Sequence, residues 1–223
     1  MMVTDLFQNS PDEIALTLPG ASGEKSLVLN REHSLTLYRE RAVLHRFACS
    51  PADLGALCAG WLYTEGYKAT AVEISANGLT AMVQLHSATP GEPERLCPSR
   101  DLCATPEQML ALFQAFADKH SRSHGIHECV IKGNGWQTVG TDIGRHNAID
   151  KAVGAAILAG HELSGAAMFS SGRINLQTVQ KAARCKLGCL MSKATITHDA
   201  LLLARELGLN VLFSVSENGY FTI

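Results

Sequence analysis

Two short polar runs carry residue types suited to holding an anion. The first is Thr141-Asp142-Ile143-Gly144-Arg145-His146-Asn147, ahead of Ala148-Ile149-Asp150-Lys151. Gly144 permits close backbone approach, Arg145 offers a bidentate fork for phosphate, and Asp142 and His146 supply acceptor and donor groups. The second is Ser170-Ser171-Gly172-Arg173, with hydroxyls, a glycine and an arginine at a predicted helix start. Helix N-termini present free N–H groups, so both junctions suit negative charge. Taken singly, each reads equally well as a helix start capped by Asp142 or Ser171, with its arginine in solvent. Taken together, at one edge of one sheet, they point to a phosphate or nucleotide pocket. His127 precedes the apolar Val130-Ile131. A histidine beside a strand is ordinarily structural, but Gly125 lets another group approach it, which places His127 on the pocket wall.

Thiols form the second chemical group. Of the seven cysteines, Cys49 and Cys58 fall in a helical region, Cys185 late in a helix and Cys189 in a strand-like run. All four read as small core residues, and Cys129 continues into an apolar strand. Cys97 and Cys103 lie in or beside a stretch with prolines at 90, 93 and 98. Arg95 and Arg100 nearby favour the thiolate, as does the helix expected just after Cys103. An odd, irregularly spaced set without an export signal implies reduced thiols and a cytoplasmic location.

The elements that must position these groups follow from pattern. The chain has 223 residues, long enough for one large or two small domains, and its formal charge is −2. With 46% hydrophobic residues and a mean hydropathy of +0.06, it is a globular composition rather than a disordered one. No global basic field exists to hold a nucleic acid, and no apolar run approaches the length of a membrane span. Residues 26–30 and 34–38 alternate as strands around a turn at 30–33. Ser50-Pro51-Ala52-Asp53 opens a helix with Ser50 as N-cap, and Gly66 stops it. Residues 71–75 and 78–86 read as two closing strands. Thr105-Pro106-Glu107-Gln108 is a capping box for a helix to about His120. Three strand-to-helix units follow, over 136–141, 166–170 and 188–191 with helices from about Arg145, Ile174 and Thr197. A last strand covers 210–215, after a C-cap at Gly208. This alternation predicts a largely parallel sheet covered on both faces. The fold class is thus α/β, with a first domain over 1–103 including the linker and a second over 104–223.

The sequence resembles the FdhD family of formate dehydrogenase accessory sulfurtransferases. The match runs through Ala56-Leu57-Cys58-Ala59-Gly60-Trp61-Leu62-Tyr63-Thr64-Glu65-Gly66, then Gly125, His127 and residues 142–151. It continues through Ser171-Gly172-Arg173 and Val179-Gln180-Lys181-Ala182-Ala183, spanning about 26–215. The resemblance implies an α+β domain followed by a cytidine-deaminase-like three-layer α/β/α domain, usually as a homodimer. It further implies transfer of persulfide sulfur from a cysteine desulfurase to a molybdenum or tungsten bis-pterin guanine dinucleotide cofactor, bound as cargo, before insertion into apo formate dehydrogenase. On this reading Cys103 carries the persulfide, Cys97 is its relay, and the guanine nucleotide contacts His127, Asp142, Gly144, Arg145, His146, Ser171, Gly172 and Arg173. The family's C-terminal contact stretch falls on Ser214-Val215-Ser216-Glu217-Asn218-Gly219.

Two features depart from the family. Five residues separate Cys97 from Cys103 where the family has two, and residues 214–219 contain no Lys or Arg. The alternative is therefore a cofactor-binding chaperone whose cysteine relay has been lost. A zinc deaminase would need His-x-Glu and Pro-Cys-x-x-Cys. Neither occurs, so no metal is expected.

Overall fold

The computed structural model describes residues 1–7, 12–20, 23–87, 89–96, 104–119 and 125–223. The first half contributes β1 (Met2–Asp5), β2 (Glu13–Gly20), β3 (Gly23–Asn30), β4 (His33–Arg39), β5 (Ala42–Cys49), α1 (Leu54–Thr64), β6 (Ala69–Ile74) and β7 (Thr80–Leu85). A five-stranded sheet has the order β1-β6-β7-β4-β5. Alternate residues of its strands, Leu35, Leu37, Val72, Ile74, Ala81 and Val83, are buried with Leu54, Leu57, Cys58 and Leu62 of α1. That is the period-2 pattern of a sheet with one covered face.

Two local expectations change here. The strands on either side of residues 30–33 do not pair with each other. β3 forms a two-stranded ribbon with β2, whereas β4 pairs with β5 and β7 in the larger sheet. Nor does Ser50 cap α1. Asp53 holds the N-cap position in the left-handed region (φ 56°) with no side-chain cap bond, and Ser50 is drawn to the second half of the chain instead. Gly66, at φ +85° just past the helix, ends it as expected.

The second half contributes α2 (Pro106–Lys119), β8 (His127–Gly133), β9 (Trp136–Asp142), α3 (Arg145–Leu158), β10 (Ala167–Ser170), α4 (Leu176–Arg184), β11 (Cys189–Ser192), α5 (His198–Leu207), β12 (Asn210–Ser216) and β13 (Gly219–Thr222). The capping box forms as a reciprocal pair. Gln108 N–H donates to Thr105 Oγ1 (3.3 Å) and Thr105 N–H donates to Gln108 Oε1 (3.2 Å). The six-stranded sheet has the order β13-β12-β11-β10-β8-β9. Only β10–β11 and β11–β12 are parallel; the other three pairs are antiparallel. The sheet is therefore mixed: β8–β9 and β12–β13 are hairpins, and β8 lies between β9 and β10, antiparallel to both.

Both faces are covered. Val130, Ala167, Phe169, Cys189, Met191 and Leu212 are buried with Met109 of α2. Cys129, Ile131, Met168, Leu190 and Val211 face the core that holds Ile149, Val153, Val179 and Ala204 of α3, α4 and α5. The layers are helix, sheet and helices, with α1 packed outside α3. A Cβ at Gly60 would overlap the Asp150 carbonyl, and one at Gly154 would overlap the Ala56 carbonyl. The two helices meet backbone to backbone.

Candidate functional site

β8 runs antiparallel to both β9 and β10, so the carboxyl ends of β9 and β10 share an edge with the start of β8. His127 is the register partner of Asp142, and Cys129 that of Ser170. Both polar runs and His127 therefore meet at one sheet edge.

Asp142 is fully buried, and its acceptors are all used within the chain. Oδ2 accepts from Ser50 N–H (2.9 Å) and the Lys151 ammonium (2.8 Å). Oδ1 accepts from Gly144 N–H (2.8 Å) and Asn147 Nδ2 (3.0 Å). Lys151, also buried, donates to the carbonyls of Ser50 (3.2 Å) and Thr141 (3.3 Å). Ile143 N–H donates to Ser50 Oγ (3.2 Å), and Asn147 Nδ2 to the Ala48 carbonyl (2.7 Å). Asp142 thus fastens the β5–α1 corner to the loop that presents Arg145. Its role is to position that loop. Gly144 leaves room for the Asn147 amide, which a Cβ would meet at 2.8 Å.

Arg145 opens α3, whose N-cap Gly144 offers no side-chain cap. Its side chain lies over Gly172, where an added Cβ would sit 3.0 Å from Arg145 Cβ and Cδ. Arg145 Nε is enclosed and has no hydrogen-bond partner among the described residues. A buried, unpaired guanidinium N–H is costly unless something occupies the space before it. Beside it, His127 Nδ1 lies 3.3 Å from Ser171 Oγ, which also accepts from Glu128 N–H (2.9 Å). A hydroxyl has one proton and two acceptor lone pairs, so Ser171 can either donate to Nδ1 or accept from it while holding Glu128 N–H. Burial first, and the Arg145 charge second, hold His127 below the ordinary imidazole value, so it is neutral at pH 7.

His146 turns to α4 instead. Its Nε2 lies 3.1 Å from Asn175 Oδ1, which also accepts from Thr178 N–H (3.0 Å) as the N-cap of α4. The ring must donate there, and burial lowers its pKa as well. Because α4 begins at Leu176 under this cap, Ser170 ends β10 and Ser171–Arg173 is a loop ahead of the helix, not its first turn. Ser171 accordingly caps nothing. Arg173 is exposed, without hydrogen bond or ion pair among the described residues. Residues 214–219 reach the same edge from β12. Ser214 sits at a bulge with φ 53° and donates to the Ala194 carbonyl (3.0 Å). Val215 is buried. Ser216 Oγ accepts from Asn218 N–H and donates to the Gly219 carbonyl around Glu217.

The five described cysteines, Cys49, Cys58, Cys129, Cys185 and Cys189, are all buried. Burial pushes the Cys49 and Cys185 thiols up to about 12, and Cys58 and Cys129 upward as well. Cys97 and Cys103 lie outside the described residues. A cavity of about 480 Å³ opens at the far ends of α1, α3 and α4, lined by Leu62, Tyr67, Ile157 and Arg184. It contains none of the groups above. Among the described residues, no three His, Cys, Asp or Glu side chains are grouped to hold a metal ion, and no helix is long and apolar enough to cross a membrane.

Residues 75–223 match the FdhD/NarQ family, two thirds of the chain. The chain belongs to that family. Among its relatives is the sulfur carrier protein FdhD of Halalkalibacterium halodurans, 27% identical over 80% of each chain. That of Wolinella succinogenes is 28% identical over 85% of this chain and 78% of its own. A crystal structure from Desulfotalea psychrophila, described as a candidate formate dehydrogenase accessory protein, covers 95% of this chain and 97% of its own. Its TM-score is 0.79 at 21% identity, which establishes the same mixed α/β fold. Within the family motif at 142–151, the structure divides the labour. Asp142, Asn147, Asp150 and Lys151 join the two halves, while Arg145 is left facing the edge. Sequence reasoning missed Ser50 because its partner lies 92 residues away, and no local pattern marks such a contact.

Proposed function

We propose that this protein is a sulfur carrier that serves formate dehydrogenase, holding the guanine nucleotide ends of the molybdenum or tungsten bis-pterin cofactor at the carboxyl edge. The observation that carries the reading is the enclosed, unpartnered Nε of Arg145 beside neutral His127. A phosphate oxygen would supply the missing acceptor, with Arg173 and the His127 imidazole close by. The names of the relatives supply the sulfur half, and the burial of five thiols supports it by leaving Cys97 and Cys103 to meet a partner. Cys103 thiolate attacks the outer sulfur of a desulfurase persulfide, the S–S bond breaks, and the desulfurase cysteine leaves as thiolate. Cys97 then acts as relay or resolving thiol. The setting is the cytoplasm, apo formate dehydrogenase is the recipient, and the working unit is a homodimer. Sedimentation at micromolar concentration should give twice 23.9 kDa; a monomer would contradict the dimer.

Intact-mass measurement after incubation with a cysteine desulfurase and cysteine tests the sulfur step. Wild type should gain one reductant-labile sulfur and Cys103→Ser none. Normal loading of Cys103→Ser with loss in Cys97→Ser would reverse the two roles. Normal loading of both variants would overturn the assignment to Cys103, and no loading of wild type while formate dehydrogenase still matures would leave a cofactor chaperone.

A further inference from the structure

We infer that Lys193 is a second phosphate-binding residue, which makes the carboxyl edge select a diphosphate over a monophosphate. This rests on the nucleotide reading above and names the group that reads the second phosphate. β10 and β11 are parallel neighbours, with Ser170 opposite Ser192, so their exits lie about 4.8 Å apart. The loops beyond them are stitched together. Ser192 Oγ donates to the Gly172 carbonyl (2.8 Å) and accepts from Ala194 N–H (3.0 Å), while Ile174 N–H donates to the Thr195 carbonyl (3.0 Å). Arg173 follows Gly172 directly, and Lys193 follows Ser192 directly. The Arg145 side chain packs on Gly172 from the other side.

Arg173 and Lys193 thus stand on adjacent stitched loops, and Arg145 packs on the glycine that joins them. Arg173 and Lys193 are exposed, and neither is paired with a carboxylate among the described residues. Like charges on adjacent stitched loops repel unless an anion lies between them. In this assignment one phosphate lies toward Arg145 and Arg173 and the next toward Lys193. Beyond it, Lys193 lines a cleft of about 460 Å³ between Leu110, Ala111 and Gln114 of α2 and the turn at Ser216, Glu217 and Asn218. The α2 wall is largely apolar and the turn polar, which suits the face and the edge of a base. The hydrogen bond from Ser214 to Ala194 holds the Lys193 loop against this turn. Lys193 therefore brings to the cleft the positive charge that residues 214–219 lack. Glu217 works against it.

Titration calorimetry of the full chain with GDP, GMP, inorganic pyrophosphate and inorganic phosphate tests the assignment. Lys193→Met should weaken GDP and pyrophosphate by about tenfold, the effect of one charge-assisted contact, and leave GMP and phosphate within about twofold. Glu217→Gln should tighten GDP. Lys193 is exposed, so an unchanged melting curve shows that its variant folds, and Lys193→Gln serves as a second variant. Equal loss of GDP and GMP, or loss of neither, would overturn the role of Lys193. Lys193-dependent pyrophosphate binding without any preference for GDP would instead overturn the nucleotide reading and keep Lys193. A wild type that binds none of the four would overturn both.

Discussion

Lys181 carries its charge into the seam between α1, α3 and α4, where its side chain is only 4% exposed. It donates to Asp150 Oδ1 (2.8 Å) and Oδ2 (3.1 Å), Thr64 Oγ1 (2.8 Å) and Glu65 Oε1 (2.9 Å). Burial opposes its charge, but the two carboxylates more than offset that and hold its pKa above the ordinary lysine value. Lys181→Met should therefore cost about 3–5 kcal/mol, because it strands the Asp150 carboxylate in the interior. Adding Asp150→Asn should recover a large part of the loss. Urea unfolding measures both, and a cost below about 1 kcal/mol for the single change would contradict the account. Part of this was legible: Asp150 and Lys181 both stand in runs the sequence marks. Thr64 stands in such a run too, but its pairing was not legible, since a hydroxyl at the end of one helix gives no hint of a carboxylate 86 positions on.

Among the elements, α1 and α3 show what pattern reading sees and what it misses. Leu54, Leu57, Cys58 and Leu62 mark α1 as a helix with an apolar face, and that face does meet the first sheet. Gly60 and Gly154 carry no local signal of a contact, yet they set the distance between the helices. Gly154→Ala would drive its methyl into the Ala56 carbonyl and should destabilise the protein by about 1–3 kcal/mol as an overpacking change. A thermal melt equal to wild type would show that the helices can separate freely. The capping box at Thr105 and the stops at Gly66 and Gly208 were readable because their causes lie within a few residues. Strand pairing was not, because alternation identifies a strand without naming its neighbour. Hence β3 went to β2 rather than β4, and the sheet that alternation with helices suggested as parallel is mixed. The same reason explains Ser50, whose residue type fits an N-cap but whose polar groups are taken by Asp142, Ile143 and Lys151.

For the molecule as a whole, the two halves meet through polar clusters at both ends of the α1–α3 contact. Ser50–Asp142–Lys151 lies at the carboxyl edge and Thr64–Asp150–Lys181 further along. The first half thereby sets the position of the loop that bears Arg145. The sequence placed both polar runs at one edge from strand direction alone, and the structure adds how they differ. The first run is half structural, and the second precedes its helix. The most direct test is titration calorimetry of GDP into wild type, Arg145→Ala and Arg173→Ala. Arg145→Ala should lose about 1.5–3 kcal/mol of binding, roughly ten- to hundredfold, with a smaller loss for exposed Arg173. Unchanged affinity in both variants, or no GDP binding by the wild type, would contradict a nucleotide site at this edge.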